Sequence, residues 1–204
     1  MRPGPVVVML VLVTAGCATG PRSTPEEAAY FADCRDGAPD DADAALAFAG
    51  RRYQLHWQRR CDNAALRLFR APGGEDGQER LVTLALYPPE AEPRPILDAT
   101  IARSASRRVG EPQIFERKGA SGTRYIAELM LQRETSRQLE YLLHGVTTSE
   151  AGRVVSVTYT YRFRAANDAA VERIQADQRA WVRAVERHLG AFPAPSKGDT
   201  GDAD

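Results

Sequence analysis

The chain is poor in the residues that mark common chemistries. Its 204 residues include three cysteines, Cys17, Cys34 and Cys61, none in the Cys-x-x-Cys spacing that redox and zinc sites use, so neither chemistry is expected. The three histidines, His56, His144 and His188, do not stand at i, i+4, and no acidic residue lies at ligand spacing from them. Each is read as a polar surface side chain, and no metal site is assigned. A nucleophile elbow is missing as well: the nearest string, Gly119-Ala120-Ser121-Gly122, has the wrong spacing for Gly-x-Ser-x-Gly and reads as a turn. There is no Gly-x-x-x-x-Gly-Lys phosphate loop and no dinucleotide glycine pattern. These absences leave no catalytic residue and no cofactor assigned.

An excess of charge of one sign is also lacking. Lysine and arginine total 27 and aspartate and glutamate total 27, a balance that gives no global field to recruit nucleic acid. Only Lys118 and Lys197 among the basic residues are lysine, but an arginine-rich composition is not by itself an argument for anion recognition.

What is present starts at the N-terminus. Arg2 is followed by an apolar run from Val6 to Val13 and then by small residues up to Gly16 and Cys17, the grammar of an export signal. An α-helix crossing the hydrocarbon core needs roughly 20 residues, so this run is too short for a permanent anchor. The string Val13-Thr14-Ala15-Gly16-Cys17 resembles the bacterial lipobox, with Thr14 where that family usually has leucine. The resemblance implies cleavage before Cys17 and a diacylglycerol thioether on its sulfur. Because each buried methylene contributes about 0.8 kcal/mol, two or three acyl chains hold a protein on a membrane durably. Ala18, rather than an aspartate, follows the cysteine, which in such lipoproteins implies the periplasmic face of the outer membrane.

The expected organisation is therefore a signal peptide at 1–16, a lipidated tether at 17–24, an α+β domain at 25–190 and a disordered tail at 191–204, where no large apolar residue follows Phe192. With Cys17 acylated in an oxidising compartment, Cys34 and Cys61 are expected to form a disulfide. In the chain-entropy picture, closing that loop stabilises the fold by about 3.6 kcal/mol.

Hydrophobic periodicity supplies the elements. Thr24-Pro25-Glu26-Glu27 reads as a helix start, and Asp43 to Phe48 as a short helix or a loop. Tyr53, Leu55 and Trp57 alternate with polar residues as one face of a strand, and further strands are expected at Ala65–Arg70, Leu81–Tyr87, Ile114-Phe115, Tyr125–Leu131, Leu139–Leu143 and Val154–Phe163, seven in all. The last has the clearest alternation, Val155, Val157, Tyr159, Tyr161 and Phe163 inside, with Ser156, Thr158, Thr160 and Arg162 on a wet face. A crossing helix is expected at about 95–108, with Leu97, Ile101 and Ala105 on one side, and a C-terminal amphipathic helix at 168–189 with Val171, Ile174, Trp181, Val182, Val185 and Leu189 inward. The fold class is thus α+β, a single domain built on a largely antiparallel sheet. This element order, over roughly residues 50 to 190, resembles the PsbP-like α/β/α sandwich, which implies a binding or assembly role.

Strand parity yields one candidate binding face. Arg52, Gln54, His56, Gln58 and Arg60 share the outward side of one strand, and Thr158, Thr160 and Arg162 that of another. If those strands are neighbours, they form a basic patch suited to carboxylates or phosphates of an envelope protein or an anionic cell-wall ligand. The functional expectation is a membrane-anchored periplasmic lipoprotein acting as a noncatalytic binding or assembly module. The alternative is an envelope hydrolase or other enzyme whose site assembles from scattered residues, for example His56 with a distant carboxylate.

Overall fold

The alternation from Val155 to Phe163 becomes a central strand of a nine-stranded sheet in the computed structural model, which describes residues 30–31, 34–37, 44–72, 78–119, 122–133, 137–165 and 167–191. The strands are β1 (Arg35–Gly37), β2 (Ala45–Phe48), β3 (Arg51–Arg60), β4 (Ala65–Arg70), β5 (Glu79–Leu86), β6 (Gln113–Gly119), β7 (Gly122–Gln132), β8 (Gln138–Thr148) and β9 (Val154–Arg164). Their order is β1-β3-β4-β5-β9-β8-β7-β6, with β2 also paired to β3, and every pairing is antiparallel. Two helices that lie wholly among the described residues complete the α+β fold: α1 (Pro93–Ser104), continued by a 3-10 turn at Ala105–Arg107, and α2 (Asp168–Gly190).

The chain runs as two meanders. The strands β3, β4 and β5 follow one another across half of the sheet, α1 follows β5, and β6 to β9 return inward until β9 pairs with β5. Each side of the sheet carries its own apolar cluster. On one side Tyr53, Phe69, Val82, Tyr141, Leu143, Val157, Tyr159 and Tyr161 pack with Ile174, Trp181, Val185 and Leu189 of α2. On the other Leu66, Ala85, Tyr87, Leu129 and Val146 pack with Ile96 and Leu97 of α1 and with Phe31. The sheet is therefore covered on both sides, as a helix-flanked sheet must be to bury two apolar surfaces.

Local chemistry explains the element ends. Asn167 caps α2, its side chain accepting from the Ala170 amide at 3.1 Å, with Asp168 in the first turn and Arg187 and His188 in the last, as the helix dipole favours. Proline at the first position of α1 fits a site whose missing N–H has no intrahelical partner. Between β2 and β3 the two turn residues, Ala49 and Gly50, both have positive φ, 47° and 76°, as a tight hairpin turn demands. Gly145 on β8 lets α2 sit directly on the sheet, because a Cβ there would run into Val185 and Leu189.

Several expectations change. Ala45–Phe48 is a strand rather than a helix or loop, because β3 offers it a free edge and the pairing Leu46↔Tyr53 and Phe48↔Arg51 buries Phe48. With β1 this makes nine strands instead of seven. The first helix begins at Pro93, earlier than 95, and buries Ile96, Leu97, Thr100 and Ser104, while Ile101 is only half-buried. In α2, Val171 is exposed and Ala170 and Ala184 take up the inward stripe instead. The outer side of β9 is not wet along its length: Val154 and Ser156 are buried at the second cluster's end, and Thr160 is buried between Leu81 and Leu142. The helix expected from Thr24, Cys17 with its lipobox, and the tail from Phe192 onward lie outside the described residues. No helix among the described residues is long and apolar enough to cross a membrane.

Cys34 and Cys61 stand within disulfide distance, their Cα atoms 4.6 Å apart, at the ends of β1 and β3. Both sulfurs lie beside the cluster containing Phe31 and Tyr87, so the pair ties the segment before β1 to the sheet.

Candidate binding face

The strands that carry the two halves of the expected basic patch are not neighbours. Between β3, with Arg52, His56 and Arg60, and β9, with Thr158, Thr160 and Arg162, stand β4 and β5, so the halves are about 14 Å apart across the sheet. A bulge in β3 divides its own set further. The register passes from Leu55↔Phe69 to Trp57↔Leu68, which makes His56 the extra residue and reverses the faces beyond it. Tyr53 and Leu55 consequently pack on the α2 side while Trp57 packs on the α1 side, and Arg52 and Arg60 project from opposite faces. Arg52, His56 and Arg60 are all exposed.

Thr158, Thr160 and Arg162 do belong together, in a ladder of cross-strand rungs on the α1 side of β5, β9 and β8. Reading along β9, the rungs are Glu79–Arg162–Glu140, Leu81–Thr160–Leu142, Thr83–Thr158–His144 and Ala85–Ser156–Val146. Successive rungs are about 7 Å apart, two residues along a strand. The ladder thus alternates polar and apolar rungs before running under the apolar cluster.

The first rung is a chain of alternating charge. Arg162 donates from one guanidinium nitrogen to Glu79 Oε2 at 2.6 Å and from Nε to Glu140 Oε2 at 3.0 Å. Arg70 of β4 extends the chain to the other oxygen of Glu79 at 2.9 Å. Burial works against the charge on Arg162, but the Glu140 carboxylate and the hydrogen bonds to both glutamates outweigh it, so its pKa lies above the ordinary arginine value. The fork of Arg162 is thereby occupied on both sides by the protein's own carboxylates. The expectation that it reaches out to an anionic ligand is corrected on that ground.

The third rung is a different unit. His144 Nδ1 and Thr158 Oγ1 are 2.8 Å apart, with His144 only 2% exposed, Thr158 half-buried and Thr83 half-buried beside it. His144 is therefore a buried histidine with a hydroxyl partner, not a surface one. His188 likewise turns inward, its ring stacking on Phe48 at 5.6 Å and its Nε2 lying 2.9 Å from the Ala47 carbonyl oxygen. Of the three, only His56 is exposed. In the last rung Ser156 Oγ meets Tyr87 hydroxyl at 3.3 Å, and Arg153 braces that end by donating to the carbonyls of Tyr87 and Asn63.

Glu79, Glu140 and Thr83 carry no signal in the sequence, and His144 reads there as a surface side chain. Glu140 and His144 share parity on β8 just as Thr158 and Arg162 do on β9, but only the register sets them opposite one another. No group of three histidine, cysteine, aspartate or glutamate side chains among the described residues is placed to hold a metal ion. No family model, no curated protein and no solved structure matches the chain.

Proposed function

We propose that the chain is a membrane-anchored periplasmic lipoprotein, held by lipid on Cys17 at the outer membrane, whose single domain serves as a noncatalytic binding or assembly module of the cell envelope. The reading joins the export signal and lipobox at the N-terminus to one observation in the domain: the alternating row Arg70–Glu79–Arg162–Glu140, with half-buried Thr83 and Thr158 two rungs further along the same side of the sheet. A fixed array of alternating charge and hydroxyls on a sheet offers directional complementarity to a polar protein surface, and specificity more than raw affinity. Positive and negative groups alternate there, so a protein with its own mixed charges suits the row better than a purely anionic polymer.

The test has two arms. Cys17→Ser should abolish palmitate incorporation and move the protein from the membrane fraction to the soluble fraction; unchanged fractionation overturns the anchoring. Thr83→Arg with Thr158→Arg places bulk and charge on the same side of the sheet, two rungs from the row and without touching its ion pairs, and should remove the partners recovered after crosslinking in intact cells. Identical partners in the variant, with circular dichroism unchanged, overturn the binding face.

The His144 and Thr158 contact supports a second reading, an envelope hydrolase, since a hydroxyl and an imidazole within hydrogen-bond reach are a nucleophile and its base. Covalent labelling of Thr158 by an electrophilic serine- and threonine-directed probe, lost in Thr158→Val, would favour it over the binding module.

A further inference from the structure

On the opposite side of the sheet, under α2, a buried guanidinium stands among tyrosines without a carboxylate beside it. Arg80 of β5 shares a rung with Tyr161 of β9 and Tyr141 of β8. It is only 8% exposed, its guanidinium carbon lies 4.8 Å from the centroid of the Tyr161 ring, and its side-chain hydrogen bond is to the Gln78 amide oxygen at 3.3 Å. Among the described residues no carboxylate forms an ion pair with it. The hydroxyls of Tyr159 and Tyr161 are buried, the first beside the Tyr53 phenol and the second beside the Arg80 guanidinium, and neither meets a carboxylate among the described residues.

The electrostatics point the same way. Burial holds the phenols of Tyr53, Tyr159 and Tyr161 above their ordinary value, so all three stay protonated and able to donate. The cations that act on them are guanidinium groups: Arg80 on all three, Arg51 on Tyr53 and Tyr161, and Arg173 on Tyr161. Arginine does not shed its proton in a protein, so Arg80 cannot escape burial by becoming neutral. A buried cation without an anion is strongly unfavourable, and the phenol beside it keeps a proton to donate. One species answers both needs: an oxygen-rich anion.

We propose that this cluster is a binding site for an oxyanion of the phosphate class, which docks on the exposed edge of Arg80 and accepts hydrogen bonds from its guanidinium and from the hydroxyl of Tyr161. Arg51 and Arg173, both exposed, stand at the rim and draw the anion in. The donors, a guanidinium on β5 and a phenol on β9, come from different strands, which suits a tetrahedral oxyanion better than a flat carboxylate. The site is independent of the polar row on the α1 side, since the two lie on opposite faces of β5 and β9.

Thermal unfolding of the full chain tests it, with inorganic phosphate as the probe and acetate and chloride at matched ionic strength as comparators. Phosphate should raise the wild-type midpoint while acetate and chloride do not. Arg80→Met, which keeps the aliphatic length, should lose the phosphate response, and in phosphate-free buffer its midpoint should equal or exceed that of the wild type because the stranded charge is gone. Tyr161→Phe, which keeps the ring, should weaken apparent phosphate affinity about tenfold, the loss of one hydrogen bond to a charged group. The proposal is overturned if phosphate has no specific effect on the wild type, if acetate matches it, or if Tyr161→Phe responds as the wild type does. A marked loss of stability in phosphate-free Arg80→Met would also overturn it, since the chain itself would then be supplying the acceptor.

Discussion

Replacing Arg162 by methionine removes a guanidinium and leaves a chain of similar reach on the α1 side of the sheet. Two carboxylates lose their bridging cation, but not equally. Glu79 keeps Arg70 at 2.9 Å, whereas the side chain of Glu140, only 9% exposed, keeps no ion-pair partner among the described residues. Breaking a fully buried pair by removing one partner costs about 3–5 kcal/mol, because the other charge is left stranded. Arg162 is 26% exposed and Glu79 remains half compensated, so the loss should fall just below that range, at about 2–3 kcal/mol. Adding Glu140→Gln removes the stranded charge and should restore most of it, leaving a deficit of about 1 kcal/mol. Urea denaturation of wild type, both single variants and the double variant measures both effects. A single variant within about 0.5 kcal/mol of wild type, or strictly additive losses in the double variant, would refute the reasoning.

Three further outcomes follow from the packing and the buried phenols. Cys34→Ser should lower stability by about 3.6 kcal/mol in the chain-entropy picture for a separation of 27 residues, read from the denaturation midpoint, with the reduced wild type behaving alike. Gly145→Ala should destabilise by about 1–3 kcal/mol, since its Cβ would meet Val185 and lie 2.9 Å from Leu189 Cδ1; pairing it with Val185→Ala should recover part of the loss in a double-mutant cycle. The pKa values of Tyr141 and Tyr159 lie above the ordinary value of 10.0, mainly through burial. Their contribution is complete below pH 10 and is lost as pH rises beyond it, because the unfolded chain ionises first. Stability should fall by about 1.4 kcal/mol per pH unit for each, and Tyr159→Phe should flatten that slope.

The sequence showed the strands of the second meander and α2 clearly because their apolar periods are long: Val155 to Phe163 alternates without a break, and the stripe from Ile174 to Leu189 repeats at helical spacing. Where a single residue decides the outcome, the pattern misled. The bulge at His56 leaves Tyr53, Leu55 and Trp57 looking like one face in the sequence, although Trp57 packs on the other side. Ala45–Phe48 has no strand-like pattern of its own and becomes a strand only because the edge of β3 is there to pair with. The candidate face failed to form as expected for a related reason. Parity gives the side of a strand on which a residue lies, but not which strands are adjacent, and the return of β9 between β5 and β8 is a long-range choice. That same choice sets Arg162 between Glu79 and Glu140, and no local pattern encodes it.

The central claim is that the polar row on the α1 side of β5 and β9 docks an envelope partner while lipid holds the protein at the membrane. The most direct measurement places a photocrosslinking residue at Thr158, and separately at Arg179 on the exposed side of α2, in palmitate-labelled protein in intact cells. The account predicts a discrete, palmitate-bearing adduct from Thr158 that is absent from Arg179 and is lost when Thr83→Arg is added. Equal adducts from both positions, or none from Thr158 in protein that carries palmitate, would contradict it.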